Sequence, residues 1–360
     1  MRRIAIPLII ITTITGLLHW FIYSMAALSF LSPPVWLVIF LTFGVIFMPG
    51  SLLISMSSLR ERLRHVIMAG YIWMGIFTIA FFFAVIQLIF SLFNLPIHSS
   101  WMLYATGIIS LWSLRLNIFG PQVVTHKLVG PDFLCGLRII QISDLHIGMP
   151  LLRKAWLQKV VDRIQAARAD VVVVTGDLVD APFDETSPLL NPLAQIAARK
   201  FYVTGNHEYI RGGDWEARLH DLGFDVLHNS HEIISRGNGK LLIAGVPDRA
   251  VNRFHKKLES NPDQALKASE KVDYKILLAH EPSSVFDLSH EKCDLLLSGH
   301  THGGQIFPFG LFVRMVQPVV AGFKTIKGVQ VFAHQGTGYW GPPMRWFTRS
   351  EIVIFEFRSA

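Results

Sequence analysis

Ser298-Gly299-His300-Thr301-His302-Gly303-Gly304 follows directly on the apolar run Asp294 to Leu297. Two imidazoles one residue apart, on a glycine-rich turn at the end of a strand, suit the ligation of a metal ion. A lone His-x-His pair also describes ordinary loop histidines. The upstream chain separates these two readings.

From Pro121 onward, short β-branched runs alternate with amphipathic stretches, the pattern of alternating strands and helices. Leu137 to Ile142 reads as a strand leading to Asp144 and His146. Leu152 to Ala167 has helical spacing, and Val171 to Val174 is a buried strand leading to Gly176-Asp177 and, three residues on, Asp180. A helix is expected over roughly Leu189 to Ala198. The strand Phe201 to Val203 then leads to Gly205-Asn206-His207-Glu208, and a helix follows at Asp214 to Leu222. Further strands are expected near Asp225 to Leu227, Glu232 to Ser235 and Leu241 to Ala244. Lys275 to Ala279 ends at His280, and Asp294 to Leu297 ends at the turn quoted above. Five strands thus finish on Asp, Asn or His, and sites in such sheets form beyond the carboxyl ends of the strands. The convergent set is Asp144, His146, Asp177, Asn206, His207, His280, His300 and His302. His220, His228, His231, His255 and His290 end no apolar strand, which favours His280 over them.

The series Asp144-x-His146, Gly176-Asp177, Gly205-Asn206-His207-Glu208, His280 and Gly299-His300-x-His302 resembles the calcineurin-like metallophosphoesterases over roughly residues 137 to 357. The resemblance implies an α/β fold, a four-layer α/β/β/α sandwich of two mixed sheets flanked by helices, with two divalent metal ions at the strand ends. It further implies that Asp144, His146, Asp177 and His302 hold one ion and Asp177, Asn206, His280 and His300 the other. Asp177 would bridge by using its two oxygens. A mixed imidazole and carboxylate set suits Mn, Fe or Zn. Such ions lower the pKa of a bridging water and neutralise phosphoryl oxygens during in-line attack, so no protein nucleophile is required. By the same resemblance His207 binds the phosphate or protonates the leaving oxygen, and Asp180 orients it. A functional role is favoured for Asp180 and Glu208 over the simpler one of capping or solvated acids. Asp248 and Arg249, at another strand end, are expected to form a salt-bridged loop. The run Gly299 to Ile306 and the ending Gly336-Thr337-Gly338-Tyr339 through Pro343-Met344-Arg345 to Glu351-Ile352 resemble the bacterial membrane-associated branch. That branch includes phosphodiesterases and a UDP-2,3-diacylglucosamine hydrolase.

The first third has a different composition. Over the 360 residues, 51% are hydrophobic and 16% charged, and the apolar excess lies before about residue 120. Residues 1–120 read as a transmembrane region of about four helices, and 121–360 as the metallophosphoesterase domain. The expected spans are Ile4 to Phe30, ended by Leu31-Ser32-Pro33-Pro34, then Val35 to Ser55, Val66 to Phe93 and Trp101 to Phe119. Pro49-Gly50 is a site for a kink in the second. The first run is too long for a signal-peptide core, and three more follow. Arg2, Arg3, Arg60, Arg62, Arg64, Arg115 and Lys127 fall on one side of this four-span arrangement, which puts both termini and the domain in the cytoplasm, with the chain in the inner membrane. The two distant cysteines, Cys135 and Cys293, read as reduced thiols in the same compartment. Only His19, with Gln87 as its polar companion, interrupts the spans, which favours an anchor over a transport path.

A net charge of +7 without a basic block or an aromatic-basic repeat argues against nucleic acid and for membrane ends and an anionic substrate. Phe307 to Met315 is either a lipid-facing patch with a basic residue or ordinary hairpin core, and Tyr339-Trp340 and Arg345-Trp346-Phe347 pose the same choice. Asn252 to Lys271 reads as a solvated helix-loop face. The expected function is a membrane-anchored, two-metal phosphoesterase acting on a phosphodiester or pyrophosphate, with a lipid-linked substrate such as UDP-2,3-diacylglucosamine in view. The competing readings are an enzyme for soluble nucleotides and a non-catalytic membrane receptor or scaffold.

Overall fold

The computed structural model describes residues 2–30, 35–118, 120–254 and 258–359. The expected stop at Leu31 to Pro34 and part of the 252–271 segment lie outside them. The chain divides into two compact units. One comprises Met1–Ile118 with Ile306–Pro308 and Gly341–Trp346; the other comprises Phe119–Gln305, Phe309–Trp340 and Phe347–Ala360.

The first unit is built from α1 (Arg2–Ala27), α2 (Val35–Ser55), α3 (Arg64–Leu92) and α4 (Ser100–Ile118). Three helices, not the expected four, are long and apolar enough among the described residues to cross a membrane: Ile9–Ala27, Val35–Ser55 and Arg64–Leu92. The fourth helix forms, but it is shorter and carries Thr106, Ser110, Ser113 and Arg115, which dilute its apolar surface. Helix α2 runs through Pro49. Ile22, Trp73, Ile79, Phe83 and Met102 are buried at the centre of this unit together with Ile306, Met344 and Trp346. The Phe82 ring meets Phe307 and Trp346 edge-on. His19 is fully partnered: Nδ1 lies 2.8 Å from the Thr15 carbonyl, and Nε2 accepts the Trp73 indole N–H at 3.1 Å.

The second unit holds two six-stranded mixed sheets. The first contains β1 (Gln122–Val129), β2 (Arg138–Ile142), β3 (Val171–Thr175), β4 (Arg199–Val203), β5 (Phe224–Val226) and β12 (Glu351–Arg358) in the order β1-β12-β2-β3-β4-β5. The second contains β6 (Ser230–Arg236), β7 (Gly239–Gly245), β8 (Tyr274–Leu278), β9 (Leu295–Ser298), β10 (Gly322–Ile326) and β11 (Val329–Ala333) in the order β10-β11-β9-β8-β7-β6. β12 lies parallel to β1 and antiparallel to β2, while β2 through β5 run parallel. The period of two along each strand divides the core. Leu241, Ile243, Ile276, Leu278, Leu295 and Leu297 face Ile139, Val171, Val173, Phe201 and Val203 between the sheets. The alternate residues Leu242, Ala244, Leu277 and Leu296 pack on the outer side with Ala265, Leu266 and Val285.

Helix α5 (Lys154–Ala166) buries Leu157, Val160, Val161 and Ile164, one face of a 3.6-residue period. The short helices are α6 (Phe183–Thr186), α7 (Asn206–Arg211), α8 (Trp215–Asp221), α9 (Val251–Phe254) and α10 (Pro262–Leu266), and α11 is Phe309–Val316. The helix expected near Leu189 to Ala198 is instead a 3₁₀ segment, Ser187–Gln195. Pro188 and Pro192 each lack the N–H that an α-helical ladder requires. The 252–271 segment is not wholly solvated, because α10 buries Pro262, Ala265 and Leu266.

Candidate metal centre

Parallel pairing brings the strand ends level. Ile142 pairs with Val174, Thr175 with Val203 and Leu278 with Leu297. Beyond the last paired residues, Asp144 donates its N–H to the Gly176 carbonyl at 3.0 Å, and Gly299 donates to the His280 carbonyl at 2.9 Å. The two sheets are tied together at this end. Buried Gln141 donates to Thr175 Oγ1 and the Ser298 carbonyl at 2.8 and 3.0 Å, and His280 Nδ1 donates to the Thr175 carbonyl at 2.7 Å.

Asp144, His146, Asp177, His300 and His302 all have positive φ, between 48° and 68°. For side chains this conformation is uncommon, and its concentration at five convergent polar residues marks strain held by the surrounding fold for a purpose. Gly299 has no room for a side chain: a Cβ there would lie 1.9 Å from Ser143 Oγ and 2.5 Å from Asp144 Oδ2.

Seven of the eight convergent residues meet at this face, with His146, Asp177 and His207 forming one close group, and Asn206 directly precedes His207 in the chain. Asp144, His146 and His302 offer one group of ligand atoms and Asp177, His280 and His300 a second, with the atoms of each group within 4.8 Å of one another. His302 Nε2 lies 3.4 Å from Asp144 Oδ1 and 3.1 Å from His146 Nε2. His280 Nε2 lies 3.2 Å from Asp177 Oδ2 and 3.1 Å from His300 Nδ1. Between the groups stands Asp177. Its Oδ1 accepts the His207 backbone N–H at 2.9 Å, and its Oδ2 faces the imidazoles. That oxygen is 4.0 Å from His146 Nε2 and 4.0 Å from His207 Nε2.

Whether these residues fit metal ions can be tested on the donor set. His280 spends its Nδ1 proton on Thr175, which turns the Nε2 lone pair toward a carboxylate oxygen and another imidazole. Burial works against a charge on His280, but Asp177 outweighs it and holds the pKa well above the ordinary value. The position therefore calls for a positive charge, supplied by a proton or by a cation. Burial, with His207 adding to it, pushes His146 down to about 3; burial, with His280 adding to it, pushes His300 down to about 4. Both are neutral imidazoles with lone pairs available. Asn206 Oδ1 is buried and has no hydrogen-bond partner, as an oxygen awaiting a cation would be. The residues fit two divalent ions.

His207 and Asp180 sit beside the ligands. His207 Nδ1 donates to Asp180 Oδ1 at 3.0 Å, and Arg211 donates to the same carboxylate. Burial lowers the His207 pKa, but Asp177 and Asp180 outweigh it and raise it to about 9. Asp180 is held below its ordinary value, since His207, His146 and Arg211 outweigh its burial.

Two residues gain roles that the sequence reading left open or missed. Glu208 is buried and accepts backbone N–H groups from Asp177, Leu178, Val179 and Gly205 at 3.1, 2.7, 3.3 and 2.7 Å. It clasps two strand-end loops, so it is neither solvated nor merely a cap. Burial and the Asp177 charge raise it to about 7. Arg211 follows His207 by four residues on α7, a spacing that puts both on one helix face toward Asp180 and that was visible in the sequence. The salt-bridged loop expected at Asp248 and Arg249 forms through Arg249, which pairs with Asp287 at 3.2 Å, while buried Asp248 accepts the Ala250 N–H at 2.7 Å.

Residues 137–304 match the family described as calcineurin-like phosphoesterase. A transmembrane protein with metallophosphoesterase domain from Danio rerio is 32% identical over 274 residues, 72% of this chain and 62% of that protein. An uncharacterised metallophosphoesterase of Helicobacter pylori is 36% identical over 225 residues, 61% of this chain and 59% of that protein. One from Campylobacter jejuni is 31% identical over 294 residues, 76% of this chain and 71% of that protein. The chain thus spans less than two thirds of the first two relatives' length. With the strand-end constellation in place and the Campylobacter relative matched over most of its length, the chain belongs to the calcineurin-like phosphoesterase family.

Proposed function

We propose that this chain is a membrane-anchored, two-metal phosphoesterase that hydrolyses phosphodiester or pyrophosphate bonds. The observation that carries the reading is the convergence of the ligand atoms of Asp144, His146, Asp177, His280, His300 and His302, with the buried, unpartnered Asn206 Oδ1 on the residue before His207. Asp144, His146, Asp177 and His302 would hold one ion, and Asp177, Asn206, His280 and His300 the other, with Mn, Fe or Zn suited to the mixed donors. Bound ions supply Lewis acidity toward phosphoryl oxygens and an activated water.

The protein's own groups do the rest. His207, protonated at neutral pH, directs Nε2 to the Asp177 side of the site, where it can donate to a phosphate oxygen and then to the departing oxygen. Asp180 and Arg211 hold that ring through Nδ1 and through a shared carboxylate. Glu208 keeps the Asp177 and Asn206 loops in register.

A lipid-linked substrate at the cytoplasmic face of the inner membrane fits an enzyme tethered by apolar helices. The basic residues around the spans and the free Cys135 and Cys293 support that side. This topology requires α4 to cross as well, because an even number of spans returns the chain to the side where it began.

The test is hydrolysis by the detergent-solubilised full chain with added Mn²⁺, comparing UDP-2,3-diacylglucosamine with bis(p-nitrophenyl) phosphate, each with and without Asn206→Ala. Turnover that requires Asn206 supports the two-metal reading, and unchanged turnover in the variant sinks it. Activity on the aryl ester alone removes the lipid substrate. A periplasm-dependent reporter fused after Ala360 that proves active would overturn the cytoplasmic placement.

A further inference from the structure

Helix α11 (Phe309–Val316) begins five residues after the metal-site turn and buries none of its side chains. Phe309, Leu311, Phe312, Met315 and Val316 are all exposed, Met315 by 82% and Val316 by 74%. Arg314 is the only charged residue in it. Leaving this many large apolar side chains in water is unfavourable, and soluble surfaces rarely carry them together.

The helix is nonetheless a fixed part of the site. Gly304 and Gly310 approach so closely that a Cβ on Gly304 would lie 2.3 Å from the Gly310 Cα. Thr301 Oγ1 donates to the Val320 carbonyl at 2.7 Å, which holds the loop after α11 to the His300-Thr301-His302 turn.

What covers the patch follows from the chain on either side of it. Ile306–Pro308, the three residues immediately before α11, belong to the unit of apolar helices, where the Phe307 ring packs on Phe82. The first residue of α11 is therefore one peptide bond from a segment lodged among helices that can cross a bilayer. A short helix with an apolar surface, one arginine and no acid matches an interfacial helix, whose arginine pairs with lipid phosphate.

We propose that α11 lies in the bilayer interface, with Phe309, Leu311, Phe312, Met315 and Val316 at the headgroup–acyl boundary and Arg314 on an anionic headgroup, so that the metal-site turn is held at the lipid surface. The lipid contact stands on the geometry of α11 and the apolar helices; its use in presenting an amphiphilic substrate rests on the phosphoesterase reading.

The experiment uses the full chain in nanodiscs containing anionic phosphatidylglycerol. With Cys135→Ser in the background and Cys293 buried, an environment-sensitive NBD label is placed at Met315→Cys or, as a control, at Asn238→Cys in the exposed β6–β7 turn. Brominated lipid is expected to quench the label at 315 and not that at 238, while iodide quenches only the label at 238. Arg314→Ala should remove any gain in quenching on going from neutral to anionic discs. Equal iodide access at both sites, or a label at 315 shielded from iodide yet untouched by brominated lipid, as a second protein copy would shield it, overturns the proposal. The measurement needs no turnover, so it can succeed or fail independently of the hydrolysis test.

Discussion

His19 among the apolar helices and His280 at the end of β8 are both buried imidazoles, and they solve opposite problems. His19 uses both nitrogens locally, on the Thr15 carbonyl and the Trp73 indole, and stacks on Phe77 with ring centroids 4.6 Å apart. His280 fixes one nitrogen on Thr175 and leaves the other facing Asp177 Oδ2 and His300 Nδ1. Burial and residue type are the same in both regions. The direction of the second nitrogen is what separates a packing histidine from a ligand.

The largest expected effect lies where that difference is greatest. Asp177→Ala should bring hydrolysis of bis(p-nitrophenyl) phosphate to background and reduce bound metal, read by elemental analysis of the purified chain; retained turnover would erase the distinction between the two histidines. His207→Ala should lower kcat by about 10²–10⁴ while metal content stays unchanged, since it removes a proton donor and no ligand. Glu208→Ala should weaken metal affinity by about 10–100-fold, measured by competition with a chelator, because the clasped loops lose their common acceptor.

A smaller effect is expected at Glu351, away from the ligands. It accepts from the Gln335 N–H and from Arg349, each at 3.0 Å, and with His334 nearby these outweigh burial and hold its carboxyl below the ordinary value. A carboxylate depressed by folding contributes stability above its unfolded value of about 4.3 and loses it as pH falls through the folded one. Glu351→Gln should cost about 1–3 kcal/mol at neutral pH and flatten the acid limb of the Tm–pH curve below about 4.3. The least effect on catalysis should come from His19→Leu, which leaves the Trp73 N–H without its acceptor. A cost of about 1 kcal/mol in thermal stability with kcat unchanged is expected, and loss of activity would break the contrast from the other side.

The metal centre was legible because each strand announces itself by a run such as Val171 to Val174 and is followed by a residue type that a turn alone does not require. Pairings distant in sequence were not. The strands β1, β10, β11 and β12 pass without ligand residues at their ends, and nothing local shows that Ile352 pairs with Val123. Glu208 reads as a cap in one dimension; only the folded loops show that its carboxylate reaches Asp177, Leu178 and Val179. The stretch Phe307 to Met315 is ambiguous in sequence between a patch and a hairpin, since a short apolar run does not declare its period. The 3₁₀ segment at Ser187–Gln195 follows from Pro188 and Pro192, whose missing N–H groups are visible in the sequence.

The strand order β1-β12-β2 has a consequence for how the protein is made. Among the described residues β12 is the last strand in chain order, yet it fills an interior position between the first two. Chains emerge at about 5–20 residues per second, so the apolar helices meet the insertion machinery well before residue 351 is translated. Until then β1 and β2 have an open gap between them and β2 an unpaired edge. The nascent chain must be kept from aggregating with its sheet incomplete, and a chain broken off before Glu351 has a first sheet that cannot close.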